Sequence, residues 1–457
     1  MKIVLLSTYD LGRQPFGLAS PAAWLRNAGF QVKCMDLSLQ PFPKEPIGQA
    51  DFIAFYLPMH TATRLAIPYL KQAREMNREA VICCYGLYAP MNAAYLRRIG
   101  VDAILGGEFE KGLLELAQRV ASRQTIFDGG FQSVPSISLE RQDFQVPDRS
   151  DLPHLRHYAH LVLPGGERRV VGYTEASRGC KHLCKHCPIV PVYNGKFRIV
   201  QPEVVLADIF QQVDAGADHI SFGDPDFFNG LGHSLKIVRT LHQHFPHLTY
   251  DVTIKIEHLL KYSHHLEELR TTGCLWVTSA VESLEDRVLK RLDKGHTKGD
   301  FLTVLDKFRD VGLELSPTFV PFTPWTSRES YLELLDLLAA ENLIEQVAPI
   351  QLAIRLLIPS GSKLLELPET QRVIKDFDEA ALCYRWEHED STLDELCNQI
   401  RLHVRESEVQ AMDRRRIFNT IFQLAHGSKA QSDESILELD PPLPRAAIPY
   451  LNEPWYC

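Results

Sequence analysis

The sequence lacks any long uninterrupted apolar run, although 45% of its 457 residues are hydrophobic. A helix that crosses a bilayer needs about 20 consecutive apolar residues, so we predict no membrane-spanning segment. Excess positive charge is also missing, because the formal net charge is −9. Nucleic-acid and membrane-surface binders present a positive field. We therefore expect neither a nucleic acid nor a membrane as a partner.

Features of a signal peptide are missing as well. The apolar part of the opening stretch, MKIVLLSTYD, is too short, and no small-residue cleavage site follows it. Ten cysteines in a large chain without such a signal indicate reduced thiols, not a disulfide framework. We therefore expect a cytoplasmic protein whose scattered cysteines are small core residues.

Residues 1–125 alternate short apolar strands with helical stretches. This alternation predicts an α/β domain with a doubly wound, Rossmann-like parallel sheet, because right-handed crossovers place helices on both faces. A linker rich in Gly, Pro, Ser and Asp follows over residues 126–165. The predicted strands are Lys2–Thr8, Gln31–Leu37, Phe52–Leu57, Ala80–Tyr85 and Ala103–Gly107.

The alternation resumes over residues 166–360 with six strand–helix units, which predict a full or partial TIM-type barrel. Its ligands would bind at the C-terminal ends of the strands. Residues 361–457 are predicted to form a small, mainly helical C-terminal region with a Pro-rich tail. The six strand candidates are VVGYTEAS, HISFGD, YDVTIKI, LWVTSAV, LSPTFVPF and APIQLAIRLLI.

Three cysteines cluster directly after the first barrel strand. Cys180, Cys184 and Cys187 have the spacing C-x3-C-x2-C, and thiolates are soft ligands suited to iron–sulfur clusters or zinc. Three protein ligands on a four-iron cluster would leave one iron open to a substrate. The alternative is a structural zinc site completed by His182 or His186.

In this motif and its position, the sequence resembles the radical SAM superfamily, whose fold is a partial (β/α)6 barrel. The resemblance implies a [4Fe–4S] cluster that cleaves S-adenosylmethionine (SAM) reductively, supplied with electrons by a donor such as flavodoxin or ferredoxin. It also implies SAM contacts after successive strands, although each isolated polar residue could equally have a structural role. The implied SAM-binding residues are His186, Gly223, Asp224, Asp226, Lys255, Glu257, Ser279, Glu282 and Ser283.

The N-terminal domain lacks the Gly-x-Gly-x-x-Gly turn that a dinucleotide would need in STYDLGRQPFGLAS. Its loops resemble instead the cobalamin-binding domain that precedes many radical SAM barrels. The resemblance implies a base-off corrin, because no Asp-x-His-x-x-Gly is present, and glycines would let the backbone approach its flat face. A degenerate domain without corrin is the alternative, and His60 could be merely structural. The implied contacts are Pro58, His60, Thr61, Gly86, Leu87, Tyr88, Gly106, Gly107 and Glu108.

The tail resembles a radical SAM group that ends in Cys-Cys (or selenocysteine)-Ala-Glu-Pro. Glu453 and Pro454 match it, the paired chalcogen residues do not, and Cys457 offers one thiol that either reaches the barrel mouth or frays. These features predict cobalamin-dependent C-methylation of a small molecule. Rearrangement, 3-amino-3-carboxypropyl transfer and a non-catalytic zinc- or corrin-binding protein remain alternatives. Residues that line a substrate pocket, or else belong to the core, are Trp276, Phe319, Phe322, Trp325 and Arg355.

Overall fold

The computed structural model describes residues 1–122, 136–427 and 446–452. Its strands are β1 Lys2–Ser7, β2 Gln31–Asp36, β3 Phe52–Tyr56, β4 Val81–Tyr85, β5 Ala103–Gly107, β6 Ile137–Ser138, β7 His160–Val162, β8 Arg168–Thr174, β9 Ser177–Gly179, β10 Phe197–Ile199, β11 His219–Phe222, β12 Thr249–Thr253, β13 Cys274–Glu282, β14 Glu314–Phe319, β15 Ile374–Asp378, β16 Cys383–Trp386 and β17 Tyr450–Leu451.

The helices lie mainly between these strands. They are α1 Phe16–Asn27, α2 Lys44–Gln49, α3 His60–Met76, α4 Tyr88–Met91, α5 Ala93–Arg98, α6 Glu110–Ala121, α7 Val190–Tyr193, α8 Pro202–Asp214, α9 Leu231–His244, α10 Ile256–Lys261, α11 Leu266–Thr271, α12 Asp286–Leu292, α13 Lys298–Val311, α14 Arg328–Ala340, α15 Pro368–Val373, α16 Ser391–Val409 and α17 Arg414–Ala425. No helix in the described ranges has the length and apolar character that crossing a membrane requires.

The first sheet is parallel throughout and has the order β2-β1-β3-β4-β5-β6. Its strands are apolar on both faces because helices cover both sides. In β1, Ile3 and Leu5 join the core formed with α1 and α6. Val4 and Leu6 join the core formed with α2 and α3. The carboxyl ends of the strands therefore form one edge, where the loops of the N-terminal domain meet.

The second sheet has the order β14-β13-β12-β11-β8-β7-β17. Strands β8 and β11 to β14 are parallel, with helices between them, and form the open barrel. Strand β7 pairs antiparallel with β8, and β17 pairs antiparallel with β7. The C-terminal strand therefore runs in the same direction as the barrel strands and extends the sheet at its free edge.

The sixth predicted strand takes a different form. Pro349–Ala353 is a 3₁₀ helix, and only Arg355 beyond it forms a parallel bridge, with Phe322. The side chain of Gln351 explains the difference, because its Oε1 accepts a hydrogen bond from the backbone N of Phe319 at 3.2 Å. The Gln351 side chain thus accepts the hydrogen bond of the Phe319 N–H, which the backbone of a sixth strand would otherwise have accepted.

The segment between the sheets contributes a strand to each of them. Strand β6 joins the first sheet and β7 joins the second. Arg149 connects both domains: it donates to Gln14 Oε1 at 2.7 Å and to the Tyr173 carbonyl at 2.7 Å, and it pairs with Asp208 at 2.8 Å. The two sheets are therefore joined through a buried polar contact as well as by the chain.

Candidate functional site

The three clustered cysteines lie on the loop between β9 and α7. The loop begins at a fixed point, because buried Asp224 accepts hydrogen bonds from the backbone N of Ala176 and from Ser177 Oγ. Farther along, the backbone N of Cys187 donates to the Cys184 carbonyl at 3.1 Å. Cys184 is 7% exposed, and its two partners are partly buried. The tether at Asp224 positions the loop against the barrel edge.

The spread of the sulfur atoms distinguishes a cluster from a single ion. One tetrahedral ion would bring three sulfurs within about 4 Å of one another, because metal–sulfur bonds are about 2.3 Å long. Among the described residues, donor atoms within 4.8 Å of one another form one group, which is Cys180, His182 and Asp226. Cys184 and Cys187 are outside it. The three sulfurs therefore do not converge as closely as one tetrahedral ion shared by all three would require.

Without metal, the thiols of Cys180 and Cys187 hold their protons. Burial, and to a smaller extent Asp226, raises the pKa of Cys180 to about 11, and burial, with a smaller effect of the neighbouring thiols, raises that of Cys187 to about 12. Metal ligation requires the thiolate, so binding a cluster would release these protons. The donor set therefore fits a soft metal centre that supplies the compensating positive charge.

A second group of polar atoms converges beside Cys180. The Oδ2 atom of Asp226 lies 2.7 Å from His258 Nδ1 and 3.3 Å from His182 Nε2. These three buried atoms make no well-aligned hydrogen bond to one another or to other described residues. Burial raises the pKa of Asp226, but the two histidines outweigh it and the pKa is lowered overall. The buried carboxylate and the two rings therefore form a compact polar group beside Cys180, whose hydrogen-bonding capacity a polar ligand could use.

A third group forms at the end of β13. Glu282 has a left-handed backbone, φ 71°, which is rare for a residue with a side chain. Its Oε1 lies 3.0 Å from His186 Nε2 and 3.4 Å from Lys294 Nζ. Although burial opposes it, Lys294 and then His186 lower the pKa of Glu282 to about 2. Backbone strain of this kind is characteristic of functional sites.

The other residues predicted to bind SAM are distributed unevenly. Lys255 Nζ lies 3.1 Å from Glu257 Oε2, and this pair borders the Asp226 group through His182 Nδ1, 3.4 Å from Glu257 Oε2. Gly223 lies so close to Tyr173 that a Cβ there would be 1.9 Å from the Tyr173 hydroxyl.

Two predicted serines are not placed among these groups. Ser279 is fully buried between Val277 and Val281, which pack into the core formed with the helices, and its hydroxyl has no partner among the described residues. Because side chains alternate along a strand, Ser279 faces away from the cavity that Thr278 lines. The hydroxyl of Ser283 accepts from the backbone N of Glu285 at 3.1 Å. Ser279 therefore packs in the core and Ser283 stabilises a turn, while their contact with SAM stays a prediction.

Sequence reasoning missed His258, Lys294 and His296 at this edge, and it considered His182 only as a zinc ligand. His182 and His258 flank Asp226, while Lys294 pairs with Glu282. His296 is buried, and neither of its ring nitrogens makes a well-aligned hydrogen bond within the described ranges, although the Val281 backbone is nearby. Burial, then Lys294 and Lys255, lowers the pKa of His296 to about 4. For His258 the available signal was position, because it comes shortly after the predicted strand YDVTIKI.

The glycines predicted to face a corrin pack instead against the protein. A Cβ on Gly106 would lie 2.2 Å from Pro90 Cγ, and one on Gly107 would lie 2.2 Å from the Ser138 carbonyl oxygen. At Gly86 the corresponding distance, to the Leu57 carbonyl oxygen, is 2.9 Å. These glycines therefore allow close packing between loops, and their approach to a corrin stays a prediction.

The remaining loop residues divide into two sets. His60 Nε2 lies 2.6 Å from the carbonyl of Ala381, in the loop between β15 and β16, so this histidine has the structural role. Tyr88 is buried, whereas Pro58, Thr61 and Leu87 remain partly exposed at the edge. Partly exposed loops with the histidine turned away are compatible with a base-off corrin that needs no protein ligand.

Glu108 belongs to a buried ionic cluster between the two domains. Arg178, two residues before Cys180, lies 2.7 Å from Glu110 Oε1, 2.7 Å from Glu175 Oε2 and 3.5 Å from Glu108 Oε2. The Tyr193 hydroxyl donates to Glu108 at 3.1 Å. One cation thus faces three carboxylates in a dry interface, and the cluster ties the loop after β5 to the cysteine loop.

This excess of acid predicts a pH-dependent stability. Burial raises the pKa of Glu108 to about 7, against the opposing effect of Arg178. The folded chain therefore keeps a proton that the unfolded chain releases above its ordinary value of 4.5, and stability should fall as pH rises between these values. The slope is at most about 1.4 kcal/mol per pH unit for one proton.

We expect the urea midpoint to fall from about pH 5 to about pH 8, and Glu108→Gln to flatten that fall. Exposed Glu79→Gln is the control and should leave the slope unchanged. A Glu108→Gln profile parallel to that of the natural chain would contradict the assignment.

A cavity of about 1170 Å³, open to solvent, lies between the barrel and the C-terminal segment. Of the predicted pocket residues, Trp276 lines it. Phe319 and Phe322 are core residues, and Arg355 lies over the Trp386 ring at 3.5 Å and pairs with Asp394. Trp325 packs partly buried against a smaller apolar cluster. Glu453, Pro454 and Cys457 lie outside the described residues.

Comparisons with known proteins agree with this geometry. Residues 174–338 match the family model described as the Radical SAM superfamily. The hopanoid C-3 methylase of Methylococcus capsulatus is 23% identical over 330 residues, covering 68% of this chain and 62% of the relative. The threonylcarbamoyladenosine tRNA methylthiotransferase MtaB of Bacillus subtilis is 23% identical over 295 residues, covering 60% and 58%. The chain thus spans about 60% of the length of these two relatives.

Two solved structures share the fold. The radical SAM methyltransferase TsrM from Kitasatospora setae, with tryptophan and a SAM analogue bound, has a TM-score of 0.62 at 16% identity over 75% of this chain and 72% of its own. The cobalamin-dependent SAM radical enzyme OxsB, with aqua-cobalamin and SAM bound, has a TM-score of 0.66 at 14% identity over 93% and 71%. The predicted architecture of a Rossmann-like sheet followed by a partial barrel is therefore confirmed.

Proposed function

We propose, from the match of residues 174–338 to the family model of the Radical SAM superfamily, that the protein is a cobalamin-dependent radical SAM enzyme that methylates an unactivated carbon of a small molecule. The observation that carries the proposal is the loop after β9 that bears Cys180, Cys184 and Cys187, whose sulfurs do not converge as closely as one shared ion would require. The TsrM and OxsB structures, solved with cobalamin and with SAM or a SAM analogue bound, support the choice of cofactors.

When bound, the cluster would supply the electron for reductive cleavage of SAM, and cobalamin would supply the methyl group. The three thiolates would hold the cluster. Asp226 would accept the SAM ammonium, because the two histidines beside it lower its pKa and its Oδ2 atom has no well-aligned partner. Lys294 and His186 would keep Glu282 charged at the same edge. These residues bind and orient, which is the protein's share of such chemistry.

Two further parts of the proposal concern partners. The cobalamin would lie against the loops that contain Pro58, Thr61 and Leu87, at the edge facing the barrel. An electron donor such as flavodoxin or ferredoxin would dock near the cysteine loop, where Leu183 is an exposed apolar side chain between Cys180 and Cys184. The substrate would occupy the cavity beside Trp276.

Anaerobic reconstitution tests the proposal. With iron, sulfide, SAM and a reductant, the protein should take up about four irons per chain, absorb broadly at about 400 nm and form 5′-deoxyadenosine. It should also retain one hydroxocobalamin per chain through gel filtration. Uptake of zinc without iron would overturn the proposal in favour of a non-catalytic metal protein centred on Cys180, His182 and Asp226. Iron uptake and SAM cleavage without cobalamin retention would overturn the cobalamin part alone.

A further inference from the structure

One carboxylate on the cavity wall has an oxygen atom that accepts no hydrogen bond from any described residue. Asp251, on β12, is 6% exposed and lines the cavity of about 1170 Å³. Its Oδ2 accepts a hydrogen bond from Ser221 Oγ and lies 3.0 Å from His219 Nε2. No described residue hydrogen-bonds to its Oδ1. A carboxylate oxygen that faces an open cavity without a protein partner is free to accept a hydrogen bond from a ligand there.

The surrounding residues hold Asp251 in a fixed orientation. His219 is fully buried, and its Nδ1 lies 2.8 Å from Thr249 Oγ1. Ser221 is the direct cross-strand neighbour of Asp251 in the parallel register. The buried side chains of His219 and Ser221 on β11 thus hold the carboxylate from one side. Its other side is directed to the cavity that Asp251 lines.

The aromatic side chain of Trp276 lies beside Asp251. Trp276 is the cross-strand neighbour of Asp251 on β13 and lines the same cavity. One face of its ring stacks on His219, with centroids 5.2 Å apart and planes at 12°. Indole faces attract cations through their quadrupole, and they also pack against apolar groups. A carboxylate next to an indole is a pairing that favours a positively charged organic group.

The neighbouring charges agree with a cation. Glu314 lines the same cavity and accepts a hydrogen bond from Gln346 Nε2 at 3.2 Å. Of the two arginines on the cavity wall, Arg414 lies over Tyr450 and donates to the Glu345 carbonyl. Arg13 lies over Tyr173 at 4.8 Å, and its charge only partly opposes the burial that raises the pKa of Asp10 to about 7. Both arginines therefore have an aromatic neighbour, whereas among the described residues Asp251 hydrogen-bonds only to the two groups that orient it.

We propose that Asp251 and Trp276 form a subsite for an ammonium or guanidinium group of the substrate, so that this enzyme acts on an organic cation. The proposal rests on the proposed function, because it identifies the molecule that would occupy the cavity. Asp251 would accept from the N–H donors of the cation, and Trp276 would cover its apolar surface. The reacting carbon would lie toward the cysteine-bearing edge of the barrel.

The test uses three matched probes on the reconstituted protein: 2-phenylethylammonium, 2-phenylethanol and 3-phenylpropanoate. Ligand-observed NMR titration at millimolar concentrations gives their dissociation constants. We expect the cation to bind at least about tenfold more tightly than the alcohol, and the anion to bind most weakly. Equal affinities, tighter binding of the anion or no binding of the cation would overturn the proposal.

Variants assign the preference to the site. Asp251→Asn should remove the tenfold preference, whereas Glu333→Gln, an exposed carboxylate paired with Lys298, should keep it. Trp276→Phe retains an aromatic face and should weaken cation binding by only a few fold. A preference that survives Asp251→Asn would overturn the proposal. If that variant does not fold, the order of the probes on the natural chain still decides.

The two proposals fail differently. Iron content and 5′-deoxyadenosine formation are measured on the same natural-chain sample as the probe titration. A sample that binds the cation preferentially but does not cleave SAM contradicts the radical SAM function and leaves the cation subsite standing. A sample that cleaves SAM but shows no preference for the cation contradicts the subsite alone.

Discussion

Replacing Cys184 with alanine should reduce the iron content from about four atoms per chain to background and abolish 5′-deoxyadenosine formation. Cys184 is the most buried of the three clustered thiols, so no water-exposed group can take its place without moving the loop. Loss of one of three protein ligands leaves a second iron open and the cluster labile. Iron assay, absorbance at about 400 nm and product analysis after anaerobic reconstitution measure the effect.

Two control variants make this result specific. Cys383→Ala removes a partly buried thiol on β16 and should leave iron and product unchanged. His182→Ala separates the two metal hypotheses, because a cube on three cysteines keeps its iron without this histidine. A single ion held by Cys180, His182 and Asp226 would be lost instead. Full iron content and activity in Cys184→Ala would show that the cysteine loop does not hold the cluster.

Replacing Arg178 with methionine should lower the free energy of unfolding by about 3–5 kcal/mol, since it leaves buried carboxylates without their cation. Arg178 is 6% exposed and pairs with Glu108, Glu110 and Glu175. Methionine fills much of the same volume, so the expected loss arises from charge and not from a cavity. Urea unfolding followed by circular dichroism, with the metal-free protein under reducing conditions, measures the change.

The matched control is Arg169→Met, which removes a partly exposed arginine paired with Glu167 and should change stability by less than about 0.5 kcal/mol. A second variant tests the mechanism. Adding Glu110→Gln to Arg178→Met removes one uncompensated charge and should recover part of the loss, as a coupled pair requires. If Arg178→Met were as stable as Arg169→Met, the interdomain cluster would not be a stabilising element.

Local patterns were sufficient for the framework of the molecule. The five N-terminal strands were predicted within one residue at each end, because an apolar run covered by helices on both faces is encoded in the run itself. The cysteine loop was also predictable, since three thiols within eight residues are brought together by chain connectivity. The family match over residues 174–338 agrees with that reading.

Where the prediction differed, a contact distant in sequence was responsible. Ser279 is adjacent to Thr278 in the same strand, so the two side chains point to opposite faces. Thr278 faces the cavity and Ser279 faces the helices. The sixth strand is replaced by a 3₁₀ helix because Gln351 takes the hydrogen bond of Phe319. Gly106 and Gly107 face Pro90 and Ser138, two partners that no turn motif reveals.

The sequence by itself determined the alternating elements, the two parallel sheets and the soft-ligand loop, because each depends on residues a few positions apart. Only the tertiary structure brought Asp226 between His182 and His258, Glu282 beside Lys294, and Asp251 beside Trp276. Those neighbours come from separate loops and strands. Their meeting is decided by strand register and helix packing across the whole barrel, which no local spacing contains.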